Sequence, residues 1–409
     1  VTQIPEVNLA EVTLADIEEA ARVLDGFALR TPMAGARWLS ARAGGMVRLK
    51  CENLQRTGSF KPRGAYVRLS RLTDEERTAG VVAASAGNHA QGVALSAQEL
   101  GIKAVVYMPT GAPIPKINAT IGYGAEVRFH GEYLDQAIVE AKKYAEESGA
   151  VFISPFDHVD IVAGQGTAGL EILEQQPDVR TVVVPLGGGG LLAGVAIAVK
   201  AARPDVRIVG VQAAGAAAFP VSLQAGHPVQ LEKMTTMADG IAVGRPGDIT
   251  FKAIQEHVDE ILTVSEDSLS RAVLTVAERA KLIIEPAGAA AVAAVMDDPT
   301  AFETPAVAVL SGGNIDPLLL GKVIQHGLAS AGRFLSLSIV ISDLPGGLAG
   351  LLTETSSLGA NVIDLQHERV SPSLSMHEVE VVVQLETRSQ QHAEAVVAGL
   401  RDAGYLVAD

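Results

Sequence analysis

Strands that alternate with helices between residues 80 and 310 predict an α/β protein whose parallel sheets are covered by helices on both faces. The alternation halts after residue 147 and resumes at Val182, so two α/β units sharing one cleft are expected, with ligands bound beyond the carboxyl ends of the strands. From residue 334 the order changes to βαββαβ, a ferredoxin-like arrangement.

In chain order, residues 13–26 read as a helix capped by Thr13 and ended by Gly26, and residues 46–50 as a strand. The stretch Gly58-Ser59-Phe60-Lys61-Pro62-Arg63-Gly64-Ala65 starts a helix, with Ser59 as its cap and Pro62 in its first turn. Strands at 80–84, 103–108 and 125–129 follow, separated by helices to Leu100, over 115–122 and over 134–147. The second unit has a strand at 182–184, a glycine loop, a helix to Ala202, a strand at 207–211, helices over 265–280 and 287–295, and a strand at 306–310. In the tail, Leu335, Leu337, Ile339 and Ile341 alternate with Ser336, Ser338 and Val340 as in a half-buried strand. The turn Asp343-Leu344-Pro345-Gly346-Gly347 leads into a helix stopped by Gly359. Strands at 361–370 and 376–386, joined by Ser371-Pro372-Ser373, precede a helix over 389–402 and a strand at 405–407.

The 409 residues are enough for two or three domains, each with its own core. Cys51 is the only cysteine, which rules out an intrachain disulfide and a Cys/His zinc cluster and suits a reducing compartment. A formal charge of −15 opposes nucleic-acid binding, so an anionic ligand must be held by local N–H groups. Residues 182–199 carry no charge, but Pro185 and the glycines among them indicate a strand, a loop and a helix rather than a membrane span. With no signal peptide visible, the expected location is cytoplasmic.

Lys61 is the candidate reacting group, because the positive end of a helix disfavours a further charge and keeps an amine nucleophilic. Taken alone it reads more readily as a solvated surface lysine, as most lysines are, and three other loops reverse that balance. Ser85-Ala86-Gly87-Asn88-His89, at a helix start, suits a carboxylate, although taken alone an ordinary turn capped by Asn88 is the better explanation. Gly187-Gly188-Gly189-Gly190-Leu191 lets several N–H groups converge on a phosphate. The loop has neither the Lys-Ser/Thr of a nucleotide-phosphate loop nor the acidic partner of a dinucleotide site. Ser311-Gly312-Gly313-Asn314 follows a strand, and a serine hydroxyl there can face a neutral ring nitrogen. An amine, a phosphate loop and a hydroxyl together match the needs of pyridoxal 5′-phosphate.

GSFKPRGA, SAGNHAQG, the GGGGL loop and SGGN resemble the fold type II pyridoxal-phosphate enzymes, which are tryptophan synthase β-like, and among them the threonine and serine dehydratases. DLPGGL followed by LGANV resembles an ACT regulatory domain. The resemblance implies a catalytic part at 1–325 with a smaller lobe inserted at about 50–155, a linker at 326–332 and an ACT domain at 333–409. It makes Lys61 the Schiff-base lysine, with Phe60 beside the cofactor, Asn88 on the ring hydroxyl, Gly187, Gly188, Gly189, Gly190 and Leu191 on the phosphate, and Ser311 on the ring nitrogen. Ser85, Asn88 and His89 would take the substrate carboxylate, Gly240 and Glu285 would line the ring, and Asp343, Pro345, Gly346, Leu348 and Asn361 would form an effector site where two such domains pair.

Serine racemases are similar but carry a second serine where this chain has Ala86, which favours elimination over racemisation. They also hold a divalent cation with carboxylates near the counterpart of residues 211–217, where none occurs here, so no metal is expected. The implied reaction is loss of water and then ammonia from threonine or serine, under isoleucine control, in a homo-oligomer (dimer or tetramer). A β-replacing synthase of the same fold, a catabolic serine dehydratase and a non-catalytic amino-acid sensor are the alternatives.

Overall fold

The computed structural model describes residues 11–369 and 374–408, so the expected joint at Ser371-Pro372-Ser373 lies outside the described residues. Fourteen strands are present among them. They are β1 (Met33–Gly35), β2 (Val47–Lys50), β3 (Val81–Ala84), β4 (Ala104–Met108), β5 (Glu126–Phe129), β6 (Val151–Phe152) and β7 (Thr181–Pro185). The remainder are β8 (Arg207–Ala213), β9 (Glu260–Val264), β10 (Ala306–Val309), β11 (Phe334–Ser342), β12 (Asn361–Glu368), β13 (Glu378–Glu386) and β14 (Leu406–Ala408). The chain forms two compact units, Val1–Leu320 and Gly321–Asp409.

The first unit holds two sheets. The larger has the order β1-β2-β10-β7-β8-β9 and is parallel except for β1; the smaller, β5-β4-β3-β6, is wholly parallel. Strands of the larger sheet thus come from before and after the smaller lobe. Every residue of β3, β4 and β7 is buried, as expected for parallel strands covered on both faces.

The helix Val159–Gln175 was not foreseen. It lies between the Lys61–Ser70 and Gly190–Ala202 helices with glycine at both contacts. A Cβ on Gly164 would stand 2.6 Å from Arg63 O, and one on Gly194 would stand 2.3 Å from Val162 O. Backbones can approach this closely only without side chains, and the contact fixes the start of the lysine helix relative to the helix that follows the glycine loop.

The second unit contains β11, β12, β13 and β14 in the antiparallel order β12-β13-β11-β14. With the helices Gly347–Ser357 and Gln390–Asp402 this is the ferredoxin-like βαββαβ arrangement. Leu337, Ile339, Ile341, Val379, Val381 and Val383 form its core face, following the expected alternation. Residues 326–330, expected as linker, continue the helix Pro317–Ser330. Among the described residues no helix is long and apolar enough to cross a membrane, and residues 182–199 fall in β7, the glycine loop and the Gly190–Ala202 helix.

Candidate active site

Lys61 is the first residue of its helix, with Pro62 in the first turn. Ser59 does not cap it. The N-cap is Phe60, without a side-chain cap bond, because Ser59 is extended and its backbone bridges Gly312. Phe60 N donates to Ser311 O at 3.2 Å and Gly313 N to Gly58 O at 2.9 Å, so the lysine loop and the Ser311–Asn314 loop are joined through their backbones. The Ser59 hydroxyl is left buried without a hydrogen-bond partner among the described residues. Buried hydroxyls are normally satisfied, so this one marks a place where a bound group would complete the site.

The half-buried Lys61 amine donates to Pro155 O at 2.9 Å and lies 5.1 Å from the centroid of the Phe60 ring. Burial pulls its pKa down to about 8, against the opposing pull of Glu285. Phe156, the next residue, backs the glycine loop: a Cβ on Gly188 would lie 2.3 Å from its ring, and one on Gly190 would lie 3.1 Å from its carbonyl. Gly189 has φ +101° and caps the Gly190–Ala202 helix, whose first N–H groups have no intrahelical acceptor. Free N–H groups, no side chains and a helix start suit a phosphate.

Asp157 is a residue that sequence reasoning missed. Its carboxylate accepts the N–H groups of Asp248, Ile249 and Thr250 at 3.0, 3.0 and 3.3 Å, capping the helix Asp248–His257 from a distant loop. Thr250 Oγ1 then donates to Gly188 O at 2.6 Å. One short segment, 155–157, therefore touches the lysine amine, backs the glycine loop and supports it from behind.

The Ser85–His89 loop follows β3 and opens the helix Asn88–Leu100. Ser85 Oγ accepts from Gly87 N at 3.1 Å, and Asn88 Nδ2 donates to Glu285 Oε1 at 2.6 Å. Asn314 Nδ2 donates to Asn88 Oδ1 at 2.8 Å, giving Asn314 a place in the site that the motif alone did not assign. The His89 ring is withdrawn: it is buried with Nε2 2.9 Å from Ile153 O, and burial pushes its pKa down to about 3. A neutral ring engaged elsewhere brings no charge to a carboxylate, which leaves His89 only its backbone N–H for that role. Ala86 packs against the core of the smaller lobe.

Glu285 is buried at the start of the helix Pro286–Asp297. Burial, reinforced by Asp239, raises its carboxyl to about 7. A Cβ on Gly312 would stand 2.4 Å from Glu285 Oε1, and one on Gly240 would stand 3.5 Å from it. A Cβ on Gly187 would lie 3.5 Å from Gly240 O. Ser311 is buried just beyond β10. Lys61, Phe60, Asn88, the glycine loop with Leu191, Gly240, Glu285 and Ser311 are thus linked through direct neighbours, and the residues present fit the cofactor.

The expected effector residues do not converge within one chain. Asp343 follows β11, bonds Arg369 at 3.2 Å and is followed by exposed Pro345 and Gly346; Leu348 is half-buried against the core. Asn361 starts β12 opposite Glu386, which pairs with Phe334 at the other end of β11. At about 3.4 Å per residue the two places are separated by roughly 27 Å of strand.

The profile of the family described as "Pyridoxal-phosphate dependent enzyme" matches residues 24–312. An L-threonine ammonia-lyase from Thermotoga maritima is 44% identical over 396 residues, covering 97% of this chain and 99% of that protein. The processed form of threonine deaminase isoform 2 from Solanum lycopersicum superposes with a TM-score of 0.73 at 39% identity, covering 80% of this chain and 93% of that one. Maize serine racemase also superposes at 0.73, with 33% identity and coverage of 78% and 99%. With loops that fit the cofactor and a relative matched nearly end to end, the chain belongs to the pyridoxal-phosphate-dependent enzymes and, within them, to the threonine ammonia-lyases.

Proposed function

We propose that this chain eliminates water from L-threonine, releasing 2-oxobutanoate and ammonia, with L-serine to pyruvate as a secondary activity. The observation that carries the reading is the convergence of separate loops on one half-buried amine, Lys61, whose pKa is pulled down to about 8. When bound, pyridoxal phosphate supplies an electron sink for the charge left at the substrate Cα. Lys61 would anchor the cofactor aldehyde and is the group placed to accept the α-proton; in the cofactor-free chain its lowered pKa already leaves part of the amine neutral near pH 7. Residues 187–191 would hold the phosphate, Ser311 would serve the ring nitrogen and Asn88 the ring hydroxyl, and Gly240 and Glu285 would line the ring. Ser85 and the helix start at Asn88 receive the substrate carboxylate. At position 86 the methyl group carries no exchangeable proton, which supports elimination over the racemisation of the similar maize enzyme.

The second unit supports control by an amino acid, isoleucine being the first candidate, in the manner of an ACT domain. Asp343, Pro345 and Gly346 would meet Asn361 only across a pair of such units, so the effector site requires a homo-oligomer. Oxoacid and ammonia release are measured from threonine and serine, each with and without isoleucine. Equal yields of both products without a second nucleophile support the lyase; product only with an added nucleophile indicates a β-replacing enzyme, and tight amino-acid binding without cofactor colour indicates a sensor. If isoleucine changes neither rate nor thermal stability, the regulatory reading fails.

A further inference from the structure

The helix Ile114–Gly122 of the smaller lobe carries Lys116, whose side chain is only 11% exposed. Its amine reaches Asp239 Oδ2 at 2.7 Å. Asp239 opens the turn Asp239–Ile241, and its neighbour Gly240 lies against Glu285. The same amine is 3.9 Å from the point a Cβ on Gly87 would occupy, and apart from Gly87 and its chain neighbours Ala86 and Asn88 no other described heavy atom comes within 4 Å of that point. A mostly buried cation therefore stands beside the open side of Ser85-Ala86-Gly87-Asn88, the loop assigned above to the substrate carboxylate.

The two partners differ in a way that favours exchange. Asp239 is 57% exposed, so release from Lys116 returns it to water at little cost. Lys116 cannot rehydrate so readily, and a buried ammonium left without an anion is costly. An incoming carboxylate, already drawn to the helix start at Asn88, would meet that demand and keep the local charge balance unchanged. The low overall basicity of the chain makes such a single placed cation more consequential.

We propose that Lys116 is the charged ligand of the substrate α-carboxylate and that it exchanges Asp239 for that carboxylate when the amino acid enters. The inference rests on the lyase reading above. The test uses the cofactor-loaded full chain and follows the visible absorbance. L-Alanine, which has no β-leaving group, and L-alaninamide, which lacks the carboxylate, serve as equilibrium probes, and KM for L-threonine is measured in parallel. Lys116→Ala is expected to weaken L-alanine binding and raise the threonine KM roughly 10- to 100-fold, while alaninamide binding changes by less than about twofold. Lys116→Arg is expected to recover most of the loss, and Asp239→Asn to strengthen alanine binding. Equal losses for both probes, unchanged alanine affinity, or no wild-type preference for alanine over its amide would overturn the proposal. Should the wild type bind alanine yet release no oxoacid from threonine, the lyase reading fails while the alanine comparison still decides the role of Lys116.

Discussion

Replacing Arg63 with methionine should destabilise the first unit by about 3–5 kcal/mol, the usual cost of leaving one charge of a buried pair uncompensated. Arg63 and Glu52 are 1% and 0% exposed. Arg63 Nε and Nη2 bond the two Glu52 oxygens at 2.8 and 2.9 Å, and Nη1 bonds Glu171 at 2.7 Å. Glu171 also pairs with Lys50, itself fully buried. Burial alone would raise the Glu52 carboxyl, but the Arg63 guanidinium outweighs it and holds the group below the usual range. Two cations and two carboxylates balance. Arg63→Met leaves one surplus negative charge while retaining most of the aliphatic packing. Adding Glu52→Gln restores the balance and keeps an acceptor for Thr31 Oγ1, which donates to Glu52 at 2.6 Å. Denaturant unfolding of the cofactor-free chain should therefore show Arg63→Met well below wild type and the double variant recovering more than half the loss. A double variant no more stable than the single one would refute the charge-balance argument.

Three other predictions follow from the site. In the cofactor-free chain, Glu285 is raised from 4.5 to about 7, so the folded state holds its proton longer than the unfolded chain does. That contribution to stability is present below pH 4.5 and is lost as pH climbs through 7, a change of about 3 kcal/mol. Glu285→Gln should flatten this fall in a thermal melt series, and an unchanged slope would contradict it. Asp157→Ala should weaken pyridoxal-phosphate binding by about 1–2 kcal/mol through loss of the cap behind Thr250, with Asp157→Asn closer to wild type; equal weakening of phosphate-free pyridoxal would point to general damage. Gly188→Ala should cost about 1–3 kcal/mol, because its Cβ overlaps the Phe156 ring, and should lower cofactor affinity in equilibrium dialysis.

Much of the architecture was legible because parallel strands and amphipathic helices leave clear periods in the sequence. β3, β4, β7, β8 and β10 fall within a few residues of expectation. The helix Val159–Gln175 carries Gly164, Gly166 and Gly169, whose low helix propensity weakens its signal in the sequence, and close packing on neighbouring helices overrides that propensity. Ser59 misled for a related reason: its type suits a cap, but a long-range bridge to Gly312 claims its backbone. Within the site, loops with distinctive glycine patterns were readable. Asp157, Thr250, Asn314 and Lys116 were not, because their meaning lies in partners far away in sequence, from 62 residues for Thr250 and Gly188, through 91 for Asp157 and Asp248 and 123 for Lys116 and Asp239, to 226 for Asn314 and Asn88. Asn361 was assigned from its motif, and only the strand register separates it from the Asp343 loop.

Whether the Lys61 amine carries the cofactor is decided by borohydride reduction of the cofactor-loaded chain followed by peptide mapping. The expected result is a single label on Lys61, with loss of both the label and the lysine-linked absorbance in Lys61→Ala. A label on another lysine, or retention of that absorbance in Lys61→Ala, would contradict the account.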